Sequence, residues 1–446
     1  MEDTIAAIST ALGIGAISII RVSGSDSISI VNKIFDKDLT KAKTHTIHYG
    51  HIIDNNQIID EVLISVMLAP KTFTTEDVVE INCHGGISTT KKILELVLTH
   101  GARLAEPGEF TKRAFLNGRI DLTQAEGIMN LIESKSEISR NLSVNQLTGS
   151  VSTLIKSLRS DLADILSNIA VNIDYPEYED IEVLTSEKII PNIQKLITKI
   201  KDIINKSEDG KIVTEGINIG IIGRPNVGKS SLLNALLEEQ KAIVTDIEGT
   251  TRDIVEGTFT LNGILCHIID TAGIRETDNL VEKIGVDKSY QIIDKSDLII
   301  YILNNNEPLT EEDKTLLSKI KNKNHLIIIN KIDLESKLNL SNEDTIKMSI
   351  KNNIGLEELK TKIIEMFNLE KIETNDLTYL TDARSISLLK KSKKILENCL
   401  QNISTYPVDV IELDLKECWN ILGEIIGQTY KDELIDEIFS RFCLGK

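Results

Sequence analysis

The spacing of apolar residues changes along the chain and predicts domains of different kinds. Up to about residue 118, short strand-like runs at 16–20 and 78–81 accompany one helical stretch near 89–99, with glycines between them. This mixture predicts a compact α+β domain. From Leu122, apolar residues recur at spacings of three and four over roughly 80 residues with almost no glycine or proline, which indicates amphipathic helices packed together.

The pattern that begins near residue 216 is that of an α/β domain. Continuous apolar runs of strand length occupy 217–222, 264–269, 298–303 and 326–329, and helix-sized segments separate them. Runs without alternation are typical of strands buried on both faces, so they predict a parallel sheet covered by helices on both sides. After about residue 369 helical periodicity returns. The two helical stretches form either one domain split by an insertion or two independent domains.

Composition narrows the class of protein. The 446 residues are 41% hydrophobic and 26% charged, which is ordinary for a globular protein, and the length predicts about three domains. The net charge of −18 means that nucleic acid would need a local basic patch or a partner protein.

Export and membrane insertion are not expected. The start Met1-Glu2-Asp3 lacks the features of an export signal, and no apolar run approaches the roughly 18 residues that cross a bilayer. The five cysteines are widely separated, which favours reduced thiols. We therefore expect a cytoplasmic protein without a membrane association.

The strongest chemical signal is the segment 223–230, Gly-Arg-Pro-Asn-Val-Gly-Lys-Ser, which fits the P-loop pattern G-x-x-x-x-G-K-[ST]. It follows a predicted buried strand and precedes a predicted helix at 231–237. Backbone N–H groups of such a loop and the helix N-terminus bind phosphates. Lys229 is predicted to reach the β and γ oxygens, and the Ser230 hydroxyl is predicted to bind Mg²⁺.

Further motifs follow in the order that a GTPase requires. Asp-Thr-Ala-Gly at 270–273 ends a predicted strand and would lie beside the metal and the γ-phosphate. Asn-Lys-Ile-Asp at 330–333 ends another predicted strand. The Asp333 carboxylate can accept hydrogen bonds from guanine N1–H and N2–H₂, two donors that adenine lacks. Between them, Thr251 is a candidate second Mg²⁺ ligand on a switch loop. This series predicts GTP rather than ATP.

Two parts of the predicted nucleotide site have alternative interpretations. Ras-type enzymes place a water-orienting Gln after D-x-x-G, but this chain has Ile274, which cannot hold water. Glu282 could do so as a carboxylate, although on sequence alone a solvent-exposed acid on a helix is the more ordinary interpretation. The segment 349–351 either contacts the base or is a plain loop.

The GTPase motifs, the segments 76–86 and 106–119, and the terminal Phe442-Cys443-Leu444-Gly445-Lys446 together resemble the MnmE (TrmE) family of tRNA-modification GTPases. The similarity covers essentially the whole chain. It implies an α/β P-loop GTPase domain inserted into a helical domain, preceded by an α+β folate-binding N-terminal domain. The implied boundaries are 1–118 for the folate-binding and dimerisation domain, 119–212 and 371–446 for the two parts of the helical domain, and 213–370 for the Ras-like G domain.

The resemblance also implies a function. The chain would act as a homodimer with an FAD-dependent MnmG-type partner, in a heterotetramer that adds an aminomethyl or carboxymethylaminomethyl group to C5 of the wobble uridine (U34) of certain tRNAs. The implied cofactors are GTP, Mg²⁺, K⁺ and 5-formyltetrahydrofolate or a related folate. Two alternatives remain from the residues alone: a K⁺-stimulated GTPase switch in ribosome assembly, and a folate-dependent one-carbon enzyme with a regulatory G domain.

Site residues follow from the motifs and the resemblance together. In the family a K⁺ ion stands in for an arginine finger, and Glu282 matches the acid that positions water, with Arg252 as a rival source of positive charge. The implied K⁺ ligands are Asn226, Thr245, Ile247 and Thr250. The predicted GTP-binding residues are Asn226, Val227, Gly228, Lys229, Ser230, Ser231, Thr245, Asp246, Ile247, Glu248, Gly249, Thr250, Thr251, Asp270, Thr271, Ala272, Gly273, Asn330, Lys331, Asp333, Ser349, Ile350 and Lys351.

The resemblance implies a folate site at Arg21, Glu80, Arg119 and Lys446. Cationic side chains suit a glutamate tail, and a carboxylate suits the N–H donors of a pterin. Cys443 is either an active-site thiol or an ordinary buried apolar cysteine.

Overall fold

The structure is a computed structural model that describes residues 3–174, 189–238, 255–269, 291–340, 345–369, 380–403, 405–430 and 432–445. The chain divides into two compact units. The first comprises residues 1–129, 146–200 and 387–446, and the second comprises 130–145 and 201–386. Among the described residues, no helix is both long and apolar enough to cross a membrane.

Each of the two units contains both strands and helices. The strands are β1 (Ile5–Ile8), β2 (Ile17–Ser23), β3 (Thr46–Asp54), β4 (Gln57–Met67), β5 (Val78–His84), β6 (Arg103–Leu104), β7 (Ile217–Ile222), β8 (Val255–Leu261), β9 (Ile264–Ile269), β10 (Leu298–Asn304), β11 (His325–Asn330) and β12 (Thr345–Lys347). The helices are α1 (Ser27–Asn32), α2 (Ile87–Thr99), α3 (Glu109–Leu116), α4 (Leu122–Glu133), α5 (Glu137–Leu147), α6 (Ser150–Asp174), α7 (Ile190–Glu215), α8 (Lys229–Glu238), α9 (Glu311–Ile320), α10 (Leu356–Met366), α11 (Ala383–Asn402), α12 (Val408–Ile425) and α13 (Asp432–Ser440).

The first unit contains a sheet in the order β3-β4-β5-β2-β1-β6. The pairs are antiparallel except for β1 and β6, which are parallel. One face packs on α1 and α2 to form a core that includes Val62, Ile64 and Ile81. The opposite face leaves large apolar side chains exposed, because strand residues alternate between the two faces. These side chains belong to Ile17, Ile47, Tyr49 and Leu63.

The segment 106–119 is anchored by a buried ion-pair cluster. The Arg113 guanidinium, only 1% exposed, pairs with Asp3, Glu76 and Glu109. Burial would raise the pKa of Glu109, but hydrogen bonds from Arg103 and Arg113 lower it. The Glu109 carboxylate is therefore held ionised beside a buried cation, and charges inside a protein are normally paired in this way.

The C-terminal segment packs against the N-terminal part of the first unit at two glycines. Gly108 has φ 69° and its N–H donates to the Cys443 carbonyl at 3.2 Å. Gly445 has φ 86°, and a Cβ at that position would overlap the Ile8 carbonyl. Cys443 is exposed, which contradicts the alternative of a buried apolar cysteine.

The second unit contains a sheet in the order β12-β11-β10-β7-β9-β8. All of its described pairs are parallel except β8 with β9. Strand β10 is buried on both faces, since Leu298, Ile300 and Ile302 join one apolar core while Ile299, Tyr301 and Leu303 join another. The prediction of strands from the four continuous apolar runs is confirmed.

Replacing Gly108 with Ala should destabilise the first unit. A Cβ there would lie 2.5 Å from the Phe439 carbonyl oxygen and 2.8 Å from the Phe442 Cβ, in addition to the cost of a positive φ. We expect a loss of about 2–4 kcal/mol in the free energy of unfolding, measured by urea denaturation.

The matched control for Gly108→Ala is Gly118→Ala. Gly118 also has a positive φ, 74°, but nothing lies within 4 Å of the added Cβ. Gly118→Ala should cost only about 1–2 kcal/mol. Equal losses for the two variants would show that the Gly108 contact with the C-terminal segment does not constrain the fold.

Candidate active site

The P-loop occupies the connection between β7 and α8. Gly223 has φ 150° and Gly228 has φ 107°, backbone angles that residues other than glycine rarely adopt. A Cβ on Gly223 would lie 2.5 Å from the Ile302 carbonyl oxygen, and one on Gly228 would overlap the Asn330 amide. Both glycines are therefore required for the loop to pass close to β10 and β11.

Lys229 lies along the inside of this loop. Its Nζ donates hydrogen bonds to the Gly223 carbonyl at 2.6 Å and to the Arg224 carbonyl at 2.9 Å. Burial lowers the pKa of Lys229, while the charge of Glu312 acts in the opposite direction. The ammonium is thus presented to the concave side of the loop, where phosphate oxygens bind in proteins of this kind.

The Asn-Lys-Ile-Asp motif begins at the end of β11, and its first two side chains donate hydrogen bonds to carbonyl groups of the P-loop. The Asn330 side chain, 3% exposed, donates to the Val227 carbonyl at 2.8 Å. Lys331 has φ 63°, and its Nζ donates to the Asn226 carbonyl at 2.8 Å. Two predicted guanine-site residues therefore contact the predicted phosphate loop directly.

Asp333 and the segment 349–351 lie together. The Ser349 hydroxyl donates to Asp333 Oδ1 at 2.7 Å, and this hydrogen bond is the main cause of the lowered pKa of Asp333. The Ile350 N–H donates to Asn330 Oδ1 at 3.4 Å. An exposed, ionised carboxylate beside these backbone groups can accept from the N–H donors of guanine.

The other described residues of the predicted site lie on or beside the P-loop. Asn226, with φ 61°, and Ser230 and Ser231, in the first turn of α8, are exposed. Lys351 is exposed beside Asp333 and contributes to its lowered pKa. The predicted positions that lie outside the described residues are Thr245, Asp246, Ile247, Glu248, Gly249, Thr250, Thr251, Arg252, Asp270, Thr271, Ala272, Gly273, Glu282 and Lys446.

A second cluster on the first unit brings together the described residues of the predicted folate site. The side chains of Arg21 and Glu80 form an ion pair at 2.9 Å across β2 and β5, where the two residues are register partners. The Arg21 guanidinium lies 5.7 Å from the centre of the Phe73 ring, and Arg119 lies 4.9 Å from the same ring. Phe73 is therefore flanked by two cations.

The C-terminal segment and a second aromatic ring complete this cluster. The Arg21 guanidinium also lies 5.6 Å from the centre of the Phe110 ring, and its Nη1 donates to the Gly445 carbonyl at 3.5 Å. Sequence analysis did not identify Phe73 or Phe110. For Phe110 the available signal was its position in the segment 106–119 of a chain with only 4% aromatic residues, whereas Phe73 lies outside the segments 76–86 and 106–119.

The fold and the site define the class of the second unit. A largely parallel sheet with a P-loop after β7 and an Asn-Lys-x-Asp sequence after β11 is that of a P-loop GTPase. The family model described as the GTP-binding protein TrmE N-terminus matches residues 4–119, and the model of the MnmE helical domain matches residues 122–443. The chain belongs to the MnmE (TrmE) family of tRNA modification GTPases, which confirms the resemblance seen in the sequence.

Curated relatives agree with this assignment over the full chain. The tRNA modification GTPase MnmE of Enterococcus faecalis is 50% identical over 100% of this chain and 98% of the relative. That of Bacillus cytotoxicus is 50% identical over 100% and 99%. The G domain of the T. maritima FeoB iron transporter is 28% identical over 33% of this chain and 97% of that chain, but its TM-score is 0.24, so the GTPase class rests on the motifs and the relatives.

Asp333→Asn should change the base that the site selects. An amide presents an N–H where the carboxylate accepts, so it cannot satisfy both donors of guanine but can pair with the C2 oxygen of xanthine. We expect the preference for GTP over xanthosine triphosphate, measured as the ratio of kcat/KM values, to fall by at least about a hundredfold.

Ser349→Ala is the control for this substitution. It removes only the hydrogen bond that orients the carboxylate, so KM for GTP should rise by roughly two- to fivefold while the choice of guanine is kept. Unchanged base preference in Asp333→Asn would contradict the guanine-binding role of this carboxylate.

Proposed function

We propose that this chain hydrolyses GTP to drive a conformational change that supports modification of the tRNA wobble uridine. The chain would act together with a FAD-dependent MnmG-type partner, and the two proteins would form a heterotetramer that modifies C5 of the uridine. We place this reaction in the cytoplasm. The observation that carries the proposal is the hydrogen bonding of Asn330 and Lys331 to the P-loop, which joins the phosphate loop to the base loop. Membership of the MnmE family supports the link to tRNA.

The proposed domain organisation has a G domain, 213–370, inserted into a helical domain. The N-terminal domain would span 1–118, and the two helical parts would span 119–212 and 371–446. The family matches, which end at residue 119 and begin at residue 122, support the first boundary. The helices that precede and follow the strands β7 to β12 along the chain support the insertion.

The proposed catalytic roles fall to residues of the P-loop and of the segments around it. Lys229 binds the β and γ oxygens from inside the loop, and Ser230, exposed at the start of α8, presents its hydroxyl to Mg²⁺ together with Thr251. Bound Mg²⁺ supplies positive charge to the phosphate oxygens. Glu282 orients the attacking water as a carboxylate, in place of the absent Gln.

A K⁺ ion is proposed beside the P-loop, with Asn226, Thr245, Ile247 and Thr250 as ligands. Asn226 fits this role because it is exposed at a positive φ and its backbone carbonyl is fixed by Lys331. When bound, K⁺ supplies the charge near the leaving oxygen that an arginine finger supplies in other GTPases.

Folate binding and dimerisation are proposed on the exposed face of the N-terminal sheet. Two guanidinium groups flank the Phe73 ring there, a combination that suits a flat pterin and an anionic glutamate tail, and Arg21 also lies near the ring of the fully buried Phe110. Glu80 would accept from pterin N–H groups, and Lys446 would add positive charge. The β2–β5 register that pairs Arg21 with Glu80 also pairs Ile17 with His84, and the β3–β4 register pairs Tyr49 with Leu63. Exposed apolar side chains therefore share this face. Such a face fits a second copy of the chain.

GTP turnover should depend on the alkali cation and on Glu282. Replacing KCl with NaCl should lower kcat by at least about tenfold, and Glu282→Ala should lower kcat by about a hundredfold or more in KCl, measured by phosphate release. The control is Arg252→Ala, which should keep the preference for KCl. Equal rates in both salts, or loss of activity only in Arg252→Ala, would remove the K⁺ mechanism.

Cells that lack the gene should contain hypomodified wobble uridine, and the parent chain should restore the modification, measured by mass spectrometry of tRNA nucleosides. Arg21→Ala should not restore it, because folate would lose its cationic partner, whereas the purified variant should hydrolyse GTP at the parent rate. Ribosome-subunit defects with fully modified tRNA would instead favour a ribosome-assembly switch. Full restoration by Arg21→Ala would contradict the folate site.

A further inference from the structure

Arg224 is the second residue of the P-loop, and its backbone and its side chain contact different parts of the site. Its carbonyl accepts the hydrogen bond from Lys229 Nζ at 2.9 Å. Its guanidinium is turned away from that lysine toward the connection between β10 and α9, and the side chain is 18% exposed. Any movement of the Arg224 backbone therefore moves the acceptor that positions Lys229.

The Arg224 guanidinium lies between the carboxylate of Glu307, in the β10–α9 connection, and that of Asp313, in the first turn of α9. Its Nη2 is 3.0 Å from Glu307 Oε2, and its Nε is 3.3 Å from Asp313 Oδ2. The Nε–H has no hydrogen-bond partner among the described residues, so the contact with Asp313 is an ion pair by distance rather than an aligned hydrogen bond. Two contacts on one planar group fix its position better than one would.

Asp313 is a rigid anchor for this interaction. It is fully buried at the start of α9 and forms a reciprocal capping box with Thr310. Its Oδ1 accepts from the hydroxyl of Tyr301, on β10, at 2.6 Å. These neutral partners fix the position of the Asp313 carboxylate, and Arg224 supplies the cation that pairs with this buried charge among the described residues. The ion pair therefore ties the start of the P-loop to a fixed point in α9.

The same connection also reaches the guanine-binding end of the site. The backbone N–H of Asn305 donates to the Asn330 carbonyl at 2.9 Å, and its side chain donates to the Leu334 carbonyl at 3.0 Å. Residues 305–313 thus contact the P-loop through Arg224 and the Asn-Lys-Ile-Asp segment through Asn305. One connection spans both halves of the nucleotide site.

We propose that Arg224 is a positioning residue for nucleotide binding, which holds the P-loop in place through Glu307 and Asp313 and thereby places Lys229 for the phosphates. Its ion pairs order the glycine-rich loop before the nucleotide binds, which lowers the entropy cost of binding. Their loss should therefore weaken nucleotide binding rather than slow the chemical step. This inference rests on the proposed binding of GTP at this loop.

The test compares Arg224→Ala, Arg224→Lys and the control Lys314→Ala in the full chain. Lys314 pairs with Glu311 on the exposed side of α9, so this variant removes a cation near the site without touching the P-loop. KM for GTP and kcat are measured together with the release rate of a fluorescent GDP and the melting temperature.

Arg224→Ala should raise KM and the GDP release rate by about tenfold while kcat at saturating GTP stays within roughly twofold. Arg224→Lys should recover part of the loss, because one ammonium can pair with one carboxylate. Lys314→Ala should match the parent chain.

Three results would overturn the inference. They are an unchanged KM in folded Arg224→Ala, a fall in kcat at unchanged KM, and an equal loss of affinity in Lys314→Ala. A fall in kcat alone would mean that Arg224 acts on the transition state. Failure of the parent chain itself to bind GTP would instead refute the proposed function, so the two failures are distinguishable.

Discussion

The P-loop depends on hydrogen-bond donors that its own backbone cannot supply. A loop that offers its N–H groups to phosphate must turn its carbonyls elsewhere, and a buried carbonyl left without a donor costs about 1–3 kcal/mol. Here the carbonyls of Gly223 and Arg224 accept from Lys229, that of Asn226 accepts from Lys331, and that of Val227 accepts from Asn330. The Asn-Lys-Ile-Asp segment therefore also supports the P-loop, and the two loops order each other.

The N-terminal and C-terminal segments of the first unit show a similar mutual dependence. The Gly108 N–H binds the Cys443 carbonyl, and the Gly445 carbonyl accepts from Ser9 and Arg21. The last residues of the chain thereby contact the strand that carries Arg21. Three segments that carry the family resemblance, 76–86, 106–119 and 442–445, are therefore connected within the first unit although they lie far apart in the sequence.

The predictable parts of the molecule are those that local patterns determine. The P-loop, the strands β7 and β9, and the position of Asn330 follow from a short motif beside a continuous apolar run. The pairing of Arg21 with Glu80 depends on the register of two strands separated by 59 positions, which no local pattern specifies. The anchoring of Arg224 was missed for the same reason, since Asp313 is 89 positions away and is recognisable only as a helix cap. The contact between Asp333 and the segment 349–351 could not be foreseen, because it depends on the short strand β12 that precedes this segment.

Positively and negatively charged side chains are nearly balanced around the described part of the nucleotide site. Arg224, Lys229, Lys331 and Lys351 lie beside an equal number of carboxylates, Glu307, Glu312, Asp313 and Asp333. The described side chains therefore come close to neutralising one another before any triphosphate arrives. The backbone N–H groups of the loop and the α8 N-terminus supply partial positive charge, but not a full charge at the leaving oxygen. Positive charge that arrives with the nucleotide would complement such a site, and the proposed Mg²⁺ and K⁺ ions would supply it.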